Sequence, residues 1–281
     1  MKYQKSLIDL EREFVKRGID FASIGFYDNP TFLKIERAQP DFLANYANYV
    51  NKRAYSPEYL QRAQKEIPFI AEILHSELVT DGRLGACVDA SIGLSRILEK
   101  EGFWNYIVKG SLTIEFPTKL GIANKHFWSV DVLGENEIAA AHAWVVAPPY
   151  YVVDITVSQQ PYQGSEKEHI PKFICSPKFE TFEVVEIDLI SPSASEIMTL
   201  EGIKGNKLIH IKKNYHDFIE TFKPCLIELN GIKFKYITIG ISAPDEPLEK
   251  VKTLKLSGKF PLEIYNALIK PKLGQFRAGK S

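Results

Sequence analysis

Three side chains of this 281-residue chain have the types and order of a thiol nucleophile with its base and orienter: Cys87, His142 and Asp154. Cys87 opens the run Gly-Ala-Cys-Val-Asp-Ala-Ser-Ile-Gly-Leu-Ser-Arg-Ile-Leu-Glu-Lys over 85–100. His142 lies in Ala-His-Ala-Trp and Asp154 in Tyr-Val-Val-Asp-Ile-Thr. A cysteine nucleophile needs a base to manage its proton, and the base needs a third group to hold its ring. A thiol in the first turn of a helix also meets the positive end of the macrodipole and unsatisfied N–H groups, which favours the nucleophilic thiolate.

The elements that must position these groups are legible. Ile92, Leu94, Ile97 and Leu98 form an apolar stripe near helical period, with Gly85 before it and Gly102 where a C′ glycine belongs. The spacing therefore predicts a helix that starts at the cysteine. Ala139–Ala147 and Tyr150–Val157 flank Pro148-Pro149 and read as a hairpin. If that hairpin turns about Pro148, His142 stands opposite Asp154 on one face, with Cβ atoms about 5 Å apart. If it turns between the two prolines, Asp154 faces away. The sequence leaves both registers open.

A second histidine competes. His126-Phe-Trp-Ser-Val-Asp131 repeats the residue types, but on one strand those two ends are about 16 Å apart and face opposite ways. They cannot form one dyad, so His142 is the stronger base. Cys175 and Cys225 sit in apolar or turn contexts and read as structural. There is no His-Glu-x-x-His and no paired Cys-x-x-Cys, so no metal and no cofactor are expected. Gly202-Ile-Lys-Gly-Asn-Lys lacks phosphate-loop spacing and reads as a loop.

Composition frames the chain as an ordinary globular one, 45% hydrophobic and 25% charged. Formal net charge is zero, so nothing pulls it toward nucleic acid or a membrane surface. From Glu201 onward there are 15 Lys and Arg against 8 Asp and Glu, a basic face for solvent or an acidic partner. Three cysteines, an odd and sparse number, argue against a disulfide framework and for a reducing compartment. The N-terminus has no apolar h-region, and no apolar run approaches the roughly 18 residues of a membrane span. A cytoplasmic protein is the expectation.

Residues 1–80 read as a helical N-terminal segment. One helix spans about 5–18 and ends at Gly18; a short aromatic one covers 42–50. Ser56-Pro57-Glu58 starts a third that Pro68 breaks or kinks and that ends near Asp81-Gly82. Asp28-Asn29-Pro30 reads as a turn. Strands are expected at 104–116, 126–133 and 179–190, with a turn at 134–136. Helices first and antiparallel strands after give an α+β class. Ser191-Pro192-Ser193 is the best boundary. Beyond it, a helix near 215–221, a hairpin about Asn230-Gly231 and a last helix near 261–269 form a small α/β extension over 191–281.

Gly-Ala-Cys at a helix start, then Glu-Gly-Phe-Trp-Asn-Tyr-Ile-Val-Lys-Gly, His-Ala-Trp and Val-Val-Asp-Ile-Thr together resemble the transglutaminase-like superfamily over about 82–158. The resemblance implies a papain-like Cys-His-Asp triad on a cysteine-bearing helix packed against an antiparallel sheet, the catalytic core spanning 81–190. It makes Cys87 the nucleophile, His142 the general base and acid, and Asp154 the orienter. Gly110 matches the glycine closing the first core strand, and Trp144 the aromatic after the histidine. Arylamine N-acetyltransferases share the triad, but their Arg-Gly-Gly stands here as Arg83-Leu84-Gly85. The expected reaction is acyl transfer on a protein or peptide substrate, most of all hydrolysis of peptide or isopeptide bonds. Deamidation and amine crosslinking use the same groups. The Cys87 N–H is one oxyanion donor, and Trp104, Trp128 and Trp144 are candidates for a second. A non-catalytic binding module on the same fold is the alternative. The N-terminal segment then serves as lid, pro-segment or partner surface; a pro-segment predicts a gain in activity on removal of 1–80, an intrinsic part of the core predicts insoluble protein.

Overall fold

A computed structural model describes residues 3–131 and 142–279. In chain order its helices and strands are α1 (Leu7–Lys16), α2 (Pro30–Ala38), α3 (Leu43–Lys52), α4 (Pro57–Asp81), α5 (Cys87–Lys100), β1 (Tyr106–Glu115), β2 (Lys125–Phe127), β3 (His142–Ala147), β4 (Tyr150–Asp154) and β5 (Ile174–Ser176). There follow α6 (Glu186–Leu189), α7 (Pro192–Leu200), α8 (Lys213–Thr221), β6 (Cys225–Leu229), β7 (Ile232–Ser242), α9 (Pro261–Ile264) and α10 (Lys270–Arg277). The class is mixed α and β, with antiparallel strand pairs. The chain divides into two compact units: residues 1–4, 108–143 and 178–241 form one, and 5–107, 144–177 and 242–281 the other. Segments of 81–190 lie in both.

The helix-rich unit is built on α4 and α5. Ser56 caps α4 by accepting the Tyr59 N–H at 3.2 Å, and Pro57 occupies the first helical position, where a missing N–H costs nothing. The helix runs through Pro68 rather than breaking there. Proline cannot donate to the carbonyl four residues back. The Tyr150 hydroxyl donates to that Gln64 carbonyl instead, at 2.7 Å, and so ties α4 to the start of β4. Gly82, at φ +74°, ends the helix in the left-handed conformation that glycine adopts without steric cost.

One apolar core fills this unit. Ile67, Ile70, Leu74 and Leu78 of α4 meet Ala90, Leu94, Ile97 and Leu98 of α5 and Val145, Ala147 and Val153 of β3 and β4. The α4 part of the 1–80 segment is therefore intrinsic to this core. α5 packs closely enough at Gly93 that a Cβ there would lie 3.1 Å from Leu254. The sheet of this unit is β3-β4-β5, antiparallel throughout. α1, α2 and α3 carry a separate aromatic cluster, in which Phe14 meets Phe26, Phe42 and Tyr49 edge-on.

In the strand-rich unit the order is β2-β1-β7-β6. β6 and β7 form the hairpin expected at Asn230-Gly231, with Leu229 opposite Ile232 and both turn residues at positive φ, +54° and +81°. Leu189, Ile190, Ala194, Tyr215, Ile237 and Ile239 make its core.

Some local expectations change. The 179–190 stretch is not a strand: Glu180 makes one bridge to Leu226, and the chain then turns into α6. Ser191-Pro192 is a helix start, with Ser191 accepting the Ala194 N–H at 3.1 Å. Asn29-Pro30 likewise caps α2. Of the strand expected at 126–133, the described part is the three-residue β2 and a single bridge from Val130 to Ile190, and 132–133 lie outside the described residues. The turn at 134–136 and the beginning of the 139–147 strand lie outside the described residues.

Candidate functional site

Cys87 is the first residue of the 14-residue α5, 6% exposed, and Ala86 before it offers no capping side chain. The thiol thus stands beside first-turn amides that no side chain caps. Arg83 pairs with Asp89 in that first turn at 2.6 Å, bracing the loop against the helix. Gly85 holds φ +67°, and its N–H donates to the carbonyl of Gln159 at 2.9 Å.

Asp154 ends β4, 1% exposed. Its Oδ1 accepts the Thr156 N–H at 2.9 Å and the Thr156 hydroxyl at 3.1 Å, which fixes the carboxylate against its own backbone turn. The turn continues with the Gln159 N–H donating to the Thr156 carbonyl at 2.8 Å. The loop before Cys87 and the turn after Asp154 are therefore joined, through Gly85 and Gln159.

The register of β3 and β4 follows neither simple alternative. Ala147 pairs with Tyr150, so the turn centres between Pro148 and Pro149, the arrangement for which the sequence predicts Asp154 facing away. Val145, however, pairs with Val153. Between those pairs β3 has one residue and β4 has two, a bulge that restores the parity. Continued by one residue, this register sets Asp154 across from Trp144.

His142 is the first residue of β3 and falls in the strand-rich unit, fully buried. Its ring centroid is 6.0 Å from that of Phe127 and 6.3 Å from that of Tyr236. His126, the competing histidine, is taken up elsewhere: its ring stacks on Trp128 at 5.3 Å and its Nδ1 lies 3.1 Å from the Thr113 hydroxyl. Asp131 accepts from the Ser191 hydroxyl at 2.5 Å.

Of the tryptophans, Trp128 donates its indole N–H to the Ile187 carbonyl at 2.8 Å. Trp104 packs among Phe26, Tyr46 and Tyr49, with the Arg53 guanidinium 3.8 Å above its ring. Burial pushes the Cys225 thiol up to about 12, and raises the Cys175 thiol as well, with the Asp154 charge adding to it. Among the described residues, no group of three His, Cys, Asp or Glu side chains is placed to hold a metal ion. No described helix is long and apolar enough to cross a membrane.

One functional-type residue escapes sequence reasoning. His75 lies on the buried face of α4, 4% exposed, and its Nδ1 is 2.9 Å from the carbonyl of Ile155, the residue after Asp154. A carbonyl only accepts, so the Nδ1 proton is fixed and Nε2 carries the lone pair of the neutral ring. Burial holds this imidazole below its ordinary range; Lys172 acts in the same direction. Its only sequence signal is a histidine at helical spacing between Ala71 and Leu78.

No known protein family, curated protein or solved structure matches the chain.

Proposed function

We propose that this chain is a cysteine-dependent acyl-transfer enzyme of the transglutaminase-like kind, hydrolysing peptide or isopeptide bonds through Cys87, His142 and Asp154. One observation carries the reading: the loop that delivers Cys87 to the start of α5 is hydrogen-bonded to the turn that fixes Asp154. That is the arrangement a nucleophile and the orienter of its base require.

In this reading the Cys87 thiolate attacks the carbonyl carbon of an amide. The C–N bond then breaks as protonated His142 gives its proton to the leaving amine, and a Cys87 thioester remains. Water attacks the thioester as neutral His142 takes its proton. The C–S bond breaks, and the acid is released with the thiolate restored. Asp154 holds the imidazole and stabilises its charged form. The Cys87 N–H, at the helix start, is one donor to the oxyanion. Three unpaired thiols fit a reducing compartment, and we assign the enzyme to the cytoplasm on that ground.

The test is alkylation of Cys87 by iodoacetamide at pH 6.5, with Cys175 and Cys225 changed to Ser. The expected result is modification at least tenfold faster than that of an unactivated thiol, reduced tenfold or more by His142→Ala. An unreactive Cys87, or one indifferent to His142, overturns the catalytic reading and leaves a binding module.

A further inference from the structure

Beside the Asp154 turn lies a cavity of about 480 Å³ within the helix-rich unit. His75, Val79, Gln159, Lys167, Ile170 and Lys172 line it. Three features define its chemistry. No acidic side chain among the described residues lines it, while two lysines, Lys167 and Lys172, do. Positive charge in a cleft whose lining carries no acidic side chain raises the local concentration of anions; the nearest carboxylates acting on His75 are Asp154 and Glu72, outside that lining. His75 is buried, has Nδ1 committed to the Ile155 carbonyl, and makes no hydrogen bond through Nε2 among the described residues. Val79 and Ile170 give one wall an apolar surface, suited to the methylenes of an acidic side chain.

Its position ties it to the thiol. Gln159 lines the cavity and its carbonyl receives the Gly85 N–H, two residues before Cys87. Two residues of chain span at most about 7 Å, so the cavity wall begins within roughly 10 Å of the Cys87 backbone. An extended peptide covers that distance in about three residues.

We infer that this cavity is a substrate subsite for a Glu or Asp side chain of an acidic peptide segment, held by Lys167 and Lys172 within about three residues of the bond that Cys87 attacks. The assignment of the peptide as substrate rests on the proposed acyl-transfer function. The anion site itself rests on the cavity alone.

The experiment is fluorescence anisotropy on the full chain carrying Cys87→Ser, which removes turnover. Two fluorescein-labelled probes are compared: acetylated Ala-Glu-Ala-Glu-Ala-Glu and the same peptide with Gln for each Glu. The Glu probe is expected to bind about tenfold tighter, the scale of two solvent-accessible charge pairs acting together. Lys167→Gln with Lys172→Gln is expected to reduce it to the level of the Gln probe. The same charge change at two exposed lysines of the other unit, Lys223→Gln with Lys233→Gln, is expected to leave binding as it was. Equal binding of the two probes overturns the inference. So does a Lys167/Lys172 variant that binds normally, or a Lys223/Lys233 variant that loses as much. Iodoacetamide reactivity of Cys87 in the otherwise wild-type chain keeps the two readings apart. Lysine-dependent binding beside an inert thiol leaves the anion site and removes the acyl-transfer reading. A reactive thiol without lysine-dependent binding removes the subsite alone.

Discussion

The Gly85 N–H donates to the Gln159 carbonyl at 2.9 Å, and Gly85 makes this contact from φ +67°. A residue with a Cβ is strained there by about 1 kcal/mol. Nothing lies within 4 Å of where that Cβ would stand, so the cost is conformational and not steric. Gly85→Ala is expected to lower the melting temperature by about 2–4 °C and to slow Cys87 alkylation more than this small loss of stability explains. Calorimetry and the alkylation rate on the same sample check this. An unchanged rate would mean that the loop does not position the thiol.

Removal of residues 1–80 is expected to give insoluble protein, not a more active one. Ile67, Ile70, Leu74 and Leu78 of α4 form one core with α5, and a lid or pro-segment does not share the core of what it covers. Leu74→Ala alone is expected to cost about 2–5 kcal/mol, as large-to-small changes at fully buried positions do. Urea denaturation of the point variant measures that loss, and expression of the truncated chain gives the cruder answer. A soluble, cooperative truncation would return the segment to a regulatory role.

How much of this was readable beforehand depended on whether local chemistry had one meaning. Asn230-Gly231 has one: both residues tolerate positive φ, and the hairpin formed there in the expected register. Ser56-Pro57 also has one, and α4 begins there. Asn29-Pro30 and Ser191-Pro192 have two, since the residues that make turns also cap helices. The apolar alternation over 179–190 was misleading for a different reason. Phe182 and Val184 alternate in order to pack against the core around Tyr215, Ile237 and Ile239, and alternation does not require a ladder. At the candidate site, Cys87 was legible because its flanking glycines and apolar stripe mark a helix start. The facing of Asp154 was not, because it turns on a one-residue bulge in β4 that leaves no compositional trace. His75 was hidden in an apolar helix face.

Thiol chemistry should separate the three cysteines. Burial raises the Cys175 and Cys225 thiols, the latter to about 12, so at pH 8 both are almost wholly protonated. Mass spectrometry after brief treatment with iodoacetamide is expected to find the label on Cys87, with Cys175 and Cys225 modified at least tenfold more slowly. Comparable labelling of Cys225 would show that its surroundings are more open than its raised thiol implies.

Arg96 ties α5 to Asp28 and to the backbone at 244–246. Its guanidinium reaches Asp28 at 2.7 and 3.1 Å, Glu99 at 2.8 Å, and the carbonyls of Pro244 and Glu246 at 3.0 and 2.8 Å. Burial already pushes the Glu99 carboxyl up, against the pull of Arg96. Arg96→Met leaves that carboxylate with only the Tyr27 hydroxyl as donor and removes the Arg96 donor from two carbonyls, a loss of about 3 kcal/mol. Arg96→Lys restores little, because an ammonium cannot span five acceptors as a guanidinium fork does. Denaturation midpoints of the two variants decide this, and a lysine variant of wild-type stability would show that charge alone matters.

His75 gives stability a pH dependence whose sign is fixed by its burial. The folded state holds its imidazole below the ordinary value of about 6.5, so the unfolded chain takes up the proton first. The contribution is fully present above pH 6.5 and is lost as pH falls from there through the folded value. His126 is also lowered by burial and adds in the same sense. Carboxylates held low by hydrogen bonds, such as Glu186, lose their contribution only at more acid pH. Urea midpoints are therefore expected to fall between pH 7.5 and pH 5.5 in the wild-type chain. His75→Gln keeps an N–H for the Ile155 carbonyl but cannot titrate, and it is expected to flatten that fall while changing the pH 7.5 midpoint little. A variant with the wild-type slope would mean that His75 titrates normally, and that water reaches its ring through the cavity it lines.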